Sequence, residues 1–180
     1  MPKPSETLFR DRVATPIGEL LLVADGQARL RLLEFSDQPE RWRWQFERRF
    51  AGALFEDACD PFGLSAVLAR YFDGDIAALD AVMAEGEGTE FQRTCWSALR
   101  RIPAGMTTTY GAMARMLGRP AAMRAVGLAN AANPIAVVVP CHRLIGSGGS
   151  LTGYGGGLAR KRWLLDHEAR NAGRCRSRLA

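Results

Sequence analysis

Histidine and lysine are scarce in this 180-residue chain. There are two of each, His142 and His167, Lys3 and Lys161. Two histidines and scattered cysteines offer no ligand spacing for zinc, and no metal is expected. The four cysteines, Cys59, Cys95, Cys141 and Cys175, show neither paired nor CxxC spacing. That argues against a disulfide framework and suits a reducing compartment. No run of about 18 or more apolar residues occurs, so no membrane-spanning helix is expected. Residues 1–12 lack the apolar core of a secretory signal. The expected location is the cytosol. No internal repeat is visible.

What remains is a chain that can fold. Hydrophobic residues make up 47% of it, enough for a sizeable core in one large domain or two small ones. The formal net charge is +5, which favours an anionic partner, nucleic acid first. Arginine accounts for 22 of the 24 basic residues. Arginine suits phosphate and base contacts. A compositional bias would produce the same skew, so charge alone does not decide.

Residues 8–35 read as β. The strands expected are Leu8–Ala14, Glu19–Ala24 and Ala28–Phe35, with Asp25-Gly26 as a hairpin signal. Glu40–Phe50 alternates arginine with aromatics and reads as an amphipathic helix lying on the sheet, in preference to a stacking surface for nucleic acid. Pro61–Phe72 reads as a short helix. Residues 73–88 are rich in Asp, Ala and Gly, and the domain boundary is placed there. Thr89 is placed to cap a helix reaching Arg101, with Cys95 in the core. Thr109 caps a second, Tyr110–Leu117, closed by Gly118. Pro120 opens a third, ending near Ala131. The last two form a helix-turn-helix pattern. Ile135–Val139 reads as a buried strand, 146–157 as an open loop holding seven glycines, and Leu158–Glu168 as the last helix. The segment after Arg170 reads as a basic, disordered tail.

Pro140-Cys141-His142-Arg143 follows that apolar run. The strand would deliver a cysteine and one of the two histidines to its end. Buried packing is the common fate of such a cysteine. The alternative is a nucleophile, which works as thiolate and needs a base or a positive field beside it. Adjacent strand residues face opposite ways. The pair can therefore cooperate only where the strand ends or bends, and Pro140 favours a break.

The stretch from Arg124 to Glu168 resembles the O6-alkylguanine-DNA alkyltransferases. The resemblance rests on RAVG from Arg124, on Asn133-Pro134, PCHR and TGYGGG, and on LLDHE ending at Glu168. FQRTCW at 91–96 and TTTYGAMA at 107–114 fit the same family, while the first 80 residues match only in general style. The resemblance implies an α/β (α+β) fold. A small ribonuclease H-like sheet domain, 1–84, would precede a mostly helical, winged-helix-like domain, 85–170, with a tail at 171–180. It implies repair by direct reversal. An alkyl group passes irreversibly from guanine O6 in duplex DNA to Cys141, and O4-alkylthymine is a second candidate substrate. His142 would act as base through a water, with Glu168 behind it. Tyr110 would assist the leaving guanine at N3, and Asn133 would tie the helix-turn-helix to the active-site segment. Carbonyls of Cys141 and Leu144, the Gly155 N–H and the Tyr154 ring would surround the base. Arg124 would enter the base stack. Ala121, Ala122, Ala125 and Gly127 would let the recognition helix sit close in the minor groove.

Met123 departs from the small residue expected beside the arginine. The zinc site of some members needs N-terminal ligands, yet this chain has no histidine before His142 and no cysteine before Cys59. No cofactor is expected. Cys141 argues against a related binding-only group that carries tryptophan at that position. A monomer is expected in solution, with cooperative assembly on DNA left open. Two other classes stay open on the residues themselves: a DNA-binding regulator or lesion sensor without catalysis, and a Cys-His thiol hydrolase.

Overall fold

A computed structural model describes residues 6–176. The chain forms β1 (Thr7–Val13), β2 (Leu20–Asp25), β3 (Leu30–Phe35), α1 (Pro39–Arg49), β4 (Leu54–Asp57) and α2 (Leu64–Phe72). Then come α3 (Glu90–Arg100), β5 (Thr108–Thr109), α4 (Tyr110–Met116), α5 (Met123–Ala131), β6 (Leu144–Ile145) and α6 (Leu158–Arg176). A mixed sheet is followed by a mainly helical region, as the sequence pattern leads one to expect.

The first sheet has the order β3-β2-β1-β4. Strand alternation sends Leu20, Leu22 and Ala24 to one face and Leu21 and Val23 to the other. The second face takes the apolar side of α1. There Trp42 and Phe46 pack with Leu8, Leu32 and Phe50. The first face joins a larger core that includes Tyr71 of α2, Trp96 and Leu99 of α3, Val126 of α5, Cys141 and Leu164 of α6. Cys95 is buried in it, as expected. β4, parallel to β1, has no counterpart in the sequence reading. Its four residues are all exposed or half-buried and carry no alternation.

The helix-turn-helix is formed by α4 and α5. Gly118 closes α4 at φ 68°. Its N–H donates to Arg115 O and the Arg119 N–H to Ala114 O, the paired bonds of a Schellman end. α5 starts at Met123, because residues 120–122 form a turn.

Two expectations are corrected. Ile135–Val139 is not a strand. It touches the sheet through one bridge, Leu33 to Ile135, and then coils, with Val137 at φ 68°. The Asn133 side chain accepts from Ile135 N at 3.0 Å and donates to Val139 O at 2.9 Å. These bonds take the place of ladder partners, so a buried apolar run folds as a turn. The segment from Arg170 is not a disordered tail as far as Arg176, because α6 continues through it. Residues 177–180 lie outside the described residues.

α3 begins with a reciprocal cap. Thr89 Oγ1 accepts from Gln92 N at 3.2 Å, and Gln92 Oε1 accepts from Thr89 N at 2.9 Å. Thr89→Ala should destabilise the fold by about 1 kcal/mol. Urea denaturation should show a lower midpoint at unchanged slope. An unmoved midpoint would contradict the role given to this cap.

Candidate active site

Cys141, His142 and Arg143 form one turn of 3-10 helix. At about three residues per turn the side chains fan out roughly 120° apart. The geometric objection to adjacent Cys and His in a strand therefore disappears. All three residues are buried.

His142 and Arg143 both turn toward Glu168 of α6. His142 Nε2 lies 2.9 Å from Glu168 Oε1. Arg143 forks across the carboxylate, Nε to Oε2 at 2.9 Å and a terminal nitrogen to Oε1 at 2.8 Å. The Gly105 N–H donates to Oε2 at 3.1 Å and the Tyr71 hydroxyl to Oε1 at 2.9 Å. Burial by itself would push the Glu168 carboxyl up. The hydrogen bonds and charges of His142 and Arg143 outweigh it and hold the group well below the usual carboxylate range. An ionised carboxylate only accepts, so the proton of this contact sits on His142 Nε2. Nδ1 then carries the lone pair. It has no hydrogen-bond partner among the described residues. Burial pushes His142 down from its ordinary value, and Glu168 opposes that only in part. The ring is a neutral base with its free nitrogen turned away from the carboxylate.

Cys141 is 6% exposed and lines a cavity of about 300 Å³ together with Tyr110, Asn133, Tyr154 and Gly155. Burial pushes its thiol up. The Asn133 side chain pulls the other way, Glu34 adds to the rise, and Arg41 and Lys161 oppose it. The resting group is a thiol. The Tyr154 hydroxyl is buried and unpartnered among the described residues. Tyr110, the first residue of α4, lies across Gly127 of α5, where an added Cβ would sit 3.9 Å from its ring. Leu144 O already accepts from Lys161 Nζ at 2.6 Å.

Arg124 is exposed near the start of α5, and Ala122, Ala125 and Gly127 are half-buried along the same helix. Met123 stands 54% exposed beside Arg124. The structure thus brings Cys141, Tyr110, Asn133, Tyr154 and Gly155 to one cavity and places His142 and Glu168 behind it. Arg124 and its small neighbours lie on the outer helix.

Three further residues build the site. Arg143 was within the recognised motif, but its grip on Glu168 was not foreseen. Lys161 is fully buried and donates to Leu144 O and Thr152 O, which pins the glycine loop to the strand after Cys141. Its being one of two lysines was the available signal. Arg41 of α1 donates to Glu34, to Ala131 O and to Asn133 O. A Cβ on Gly155 would meet its guanidinium at 2.6 Å. Inside a run of arginines, nothing in the sequence marks it.

Comparison with known proteins bears on this geometry. Residues 90–170 match the family model described as 6-O-methylguanine DNA methyltransferase, DNA binding domain. A methylated-DNA–protein-cysteine methyltransferase of Salmonella typhimurium is 48% identical over 163 residues, 89% of this chain and 95% of that protein. The chain belongs to the methylated-DNA–protein-cysteine methyltransferase family. Two crystal structures of the Mycobacterium tuberculosis O6-methylguanine methyltransferase family member agree, each 39% identical with a TM-score of 0.74. One covers 91% of this chain and 94% of its own. The other, solved in complex with DNA, covers 92% and 94%. The family-model match includes Tyr110, Arg124, Asn133, Cys141, His142 and Glu168, and the methyltransferase likeness extends over the N-terminal sheet as well.

Burial of His142 and the hydrogen bonds and charges around Glu168 make stability depend on pH. His142 titrates lower in the folded chain than its ordinary 6.5, and Glu168 lower than its ordinary 4.5. The unfolded chain therefore binds more protons on acidification. Stability should fall as pH drops below about 6.5 through His142, and further below about 4.5 through Glu168. Glu168→Gln leaves Arg143 buried without its anion and should cost about 3–5 kcal/mol. It should also flatten the lower acid step in chemical denaturation. An undiminished step in that variant would show that Glu168 is not its source.

Proposed function

We infer that the protein repairs DNA by moving a methyl, or larger alkyl, group from O6 of guanine in duplex DNA onto Cys141. The observation that carries this reading is a buried cysteine on the wall of a cavity that a single base could fill. The cysteine stands one residue from a histidine whose free nitrogen is backed by an ionised glutamate.

The chemistry follows from the groups present. His142 Nδ1 takes the Cys141 proton through a bridging water. The imidazolium is then stabilised by Glu168, the logic of nucleophile, base and orienting acid. The thiolate attacks the alkyl carbon in line. A sulfur–carbon bond forms as the carbon–O6 bond breaks, and the electron pair leaves on guanine. Tyr110 answers that charge with a hydrogen bond or proton at N3. Leu144 O and Cys141 O receive the exocyclic amine, Gly155 N–H meets O6, and Tyr154 forms the wall. The thioether has no route back to thiol, so each molecule acts once. The site is lined by one chain and needs no second copy, which suits a monomer.

A base inside a duplex cannot reach a cysteine that is 6% exposed. The target nucleotide must leave the stack. Arg124, exposed at the outer start of α5, would fill the gap it leaves, and the small residues Ala122, Ala125 and Gly127 would let the helix approach the minor groove. In this reading residues 85–170 carry the chemistry and the DNA contacts, and residues 1–84 brace them. The described cysteines are free, which suits the cytoplasm. Among the described residues no helix is long and apolar enough to cross a membrane.

Incubation with a duplex containing O6-methylguanine should raise the intact mass by one methyl group, located on the peptide with Cys141. Cys141→Ala should lose transfer and still bind the duplex. Unmodified wild-type protein with the lesion left in place would refute the reading. Binding to undamaged duplex should weaken at least about tenfold between roughly 50 and 200 mM salt. Salt-independent affinity would argue against phosphate contacts by this basic chain.

A further inference from the structure

Glu168 is held by more than the PCHR turn. Of the five hydrogen bonds to its carboxylate, four come from Gly105, His142 and Arg143. The fifth comes from Tyr71 in α2, far back in the chain. Tyr71 is fully buried and fixed at both ends. Its hydroxyl donates to Glu168 Oε1 at 2.9 Å, and its carbonyl accepts from His167 Nε2 at 2.7 Å. Its ring meets Phe72 at 5.2 Å and His167 at 5.3 Å. The α2 end is fitted to α6 as well, since a Cβ on Gly74 would lie 2.8 Å from the Asn171 side chain. The phenol cannot swing away without breaking this seam.

We propose that Tyr71 is a positioning residue of the alkyl-transfer site. Its hydroxyl shares Glu168 Oε1 with His142 and thereby sets the orientation and basicity of that imidazole from the N-terminal half of the chain. The proposal rests on the alkyl-transfer reading for its kinetic arm alone. Burial and the neighbouring Glu168 both push the Tyr71 phenol up, so it stays a neutral donor throughout the working pH range. A donor on Oε1 draws negative charge away from the His142 contact. Removing it concentrates charge on His142 Nε2–H, which favours the imidazolium. It also frees the carboxylate to rotate toward Arg143. The other groups facing this pair, Arg143 and Lys161, both disfavour the imidazolium, and the neighbouring Tyr154 ring carries no charge until it ionises.

Tyr71→Phe tests this and retains the ring packing. NMR titration of His142 needs no substrate, and His142→Gln assigns its signal against His167. In Tyr71→Phe the His142 titration should move up by about half a unit or more. Single-turnover transfer from an O6-methylguanine duplex should slow about fivefold, with DNA affinity within twofold of wild type. A phenol that merely fills space would alter the melting temperature and leave both readouts where they were. An unmoved His142 titration, or a wild-type transfer rate, overturns the proposal. Failure of the wild-type protein to take up methyl would instead count against the alkyl-transfer reading, and the titration would still judge Tyr71.

Discussion

A carboxylate that has left water must have its charge answered on the spot. Glu168 is fully buried, and five donors from three separate places in the chain converge on it. Arg143 supplies the compensating charge in a two-pronged contact, the geometry in which guanidinium binds carboxylate best. Because that charge is balanced, His142 can remain neutral at the same carboxylate and still be oriented by it. The turn after Pro140, the start of the segment at Gly105, the end of α2 and the middle of α6 are all registered against this one group. Small errors in packing at any of them would be read at the imidazole.

The same burial would keep Cys141, the nucleophile of the proposed reaction, quiet at rest. Desolvation pushes the Cys141 thiol up, and a thiol is a poor nucleophile and a poor target for oxidants. If each molecule acts once, as proposed, a permanently ionised cysteine would be a hazard, since any stray electrophile would consume it. Arg41 and Lys161 lean toward the thiolate without winning. The arrangement keeps the proton on sulfur and an acceptor nitrogen near at hand. In the proposed reaction, activation awaits a guest base that fills the cavity and brings the electrophilic carbon into line.

The parts legible in the sequence were those with local signatures. Thr89 and Gln92, Thr109, and Gly118 mark helix ends through side-chain and backbone rules acting over three or four residues, and each end lies within two residues of its expected place. The cysteine, histidine and glycine loop were recognisable because several spaced motifs agreed. What could not be read depends on distant partners. Nothing near Arg41 distinguishes it from Arg43 or Arg48, yet it alone of the three bonds to Ala131 and Asn133 carbonyls. Tyr71 looks like any aromatic in a short helix until α6 is laid against it. The apolar run 135–139 has the composition of a strand. The choice of turn over strand is made by the amide of Asn133, a single side chain that satisfies two backbone groups at once.

That amide also shows why the N-terminal sheet belongs to the site and is more than a platform for it. Leu33 of β3 donates to Pro134 O and accepts from Ala136 N, so the segment containing the Asn133 turn is stitched to the sheet edge on one side. On the other, Arg41 and Arg49 of α1 donate to Ala131, Asn133 and Ala132 carbonyls. Ala131 and Ala132 end and cap α5, and Asn133 follows them, so the guanidinium groups sit where a positive charge is favoured by the helix dipole. The helix carrying Arg124 and the turn carrying Cys141 are therefore held in fixed relation by residues from the first 50 of the chain. A force that tilts α5 must act against these bonds before it can move the thiol. The distance between α5 and the Cys141 sulfur is thus set by the N-terminal half, through hydrogen bonds whose donors, Leu33, Arg41 and Arg49, lie outside every motif of the C-terminal half.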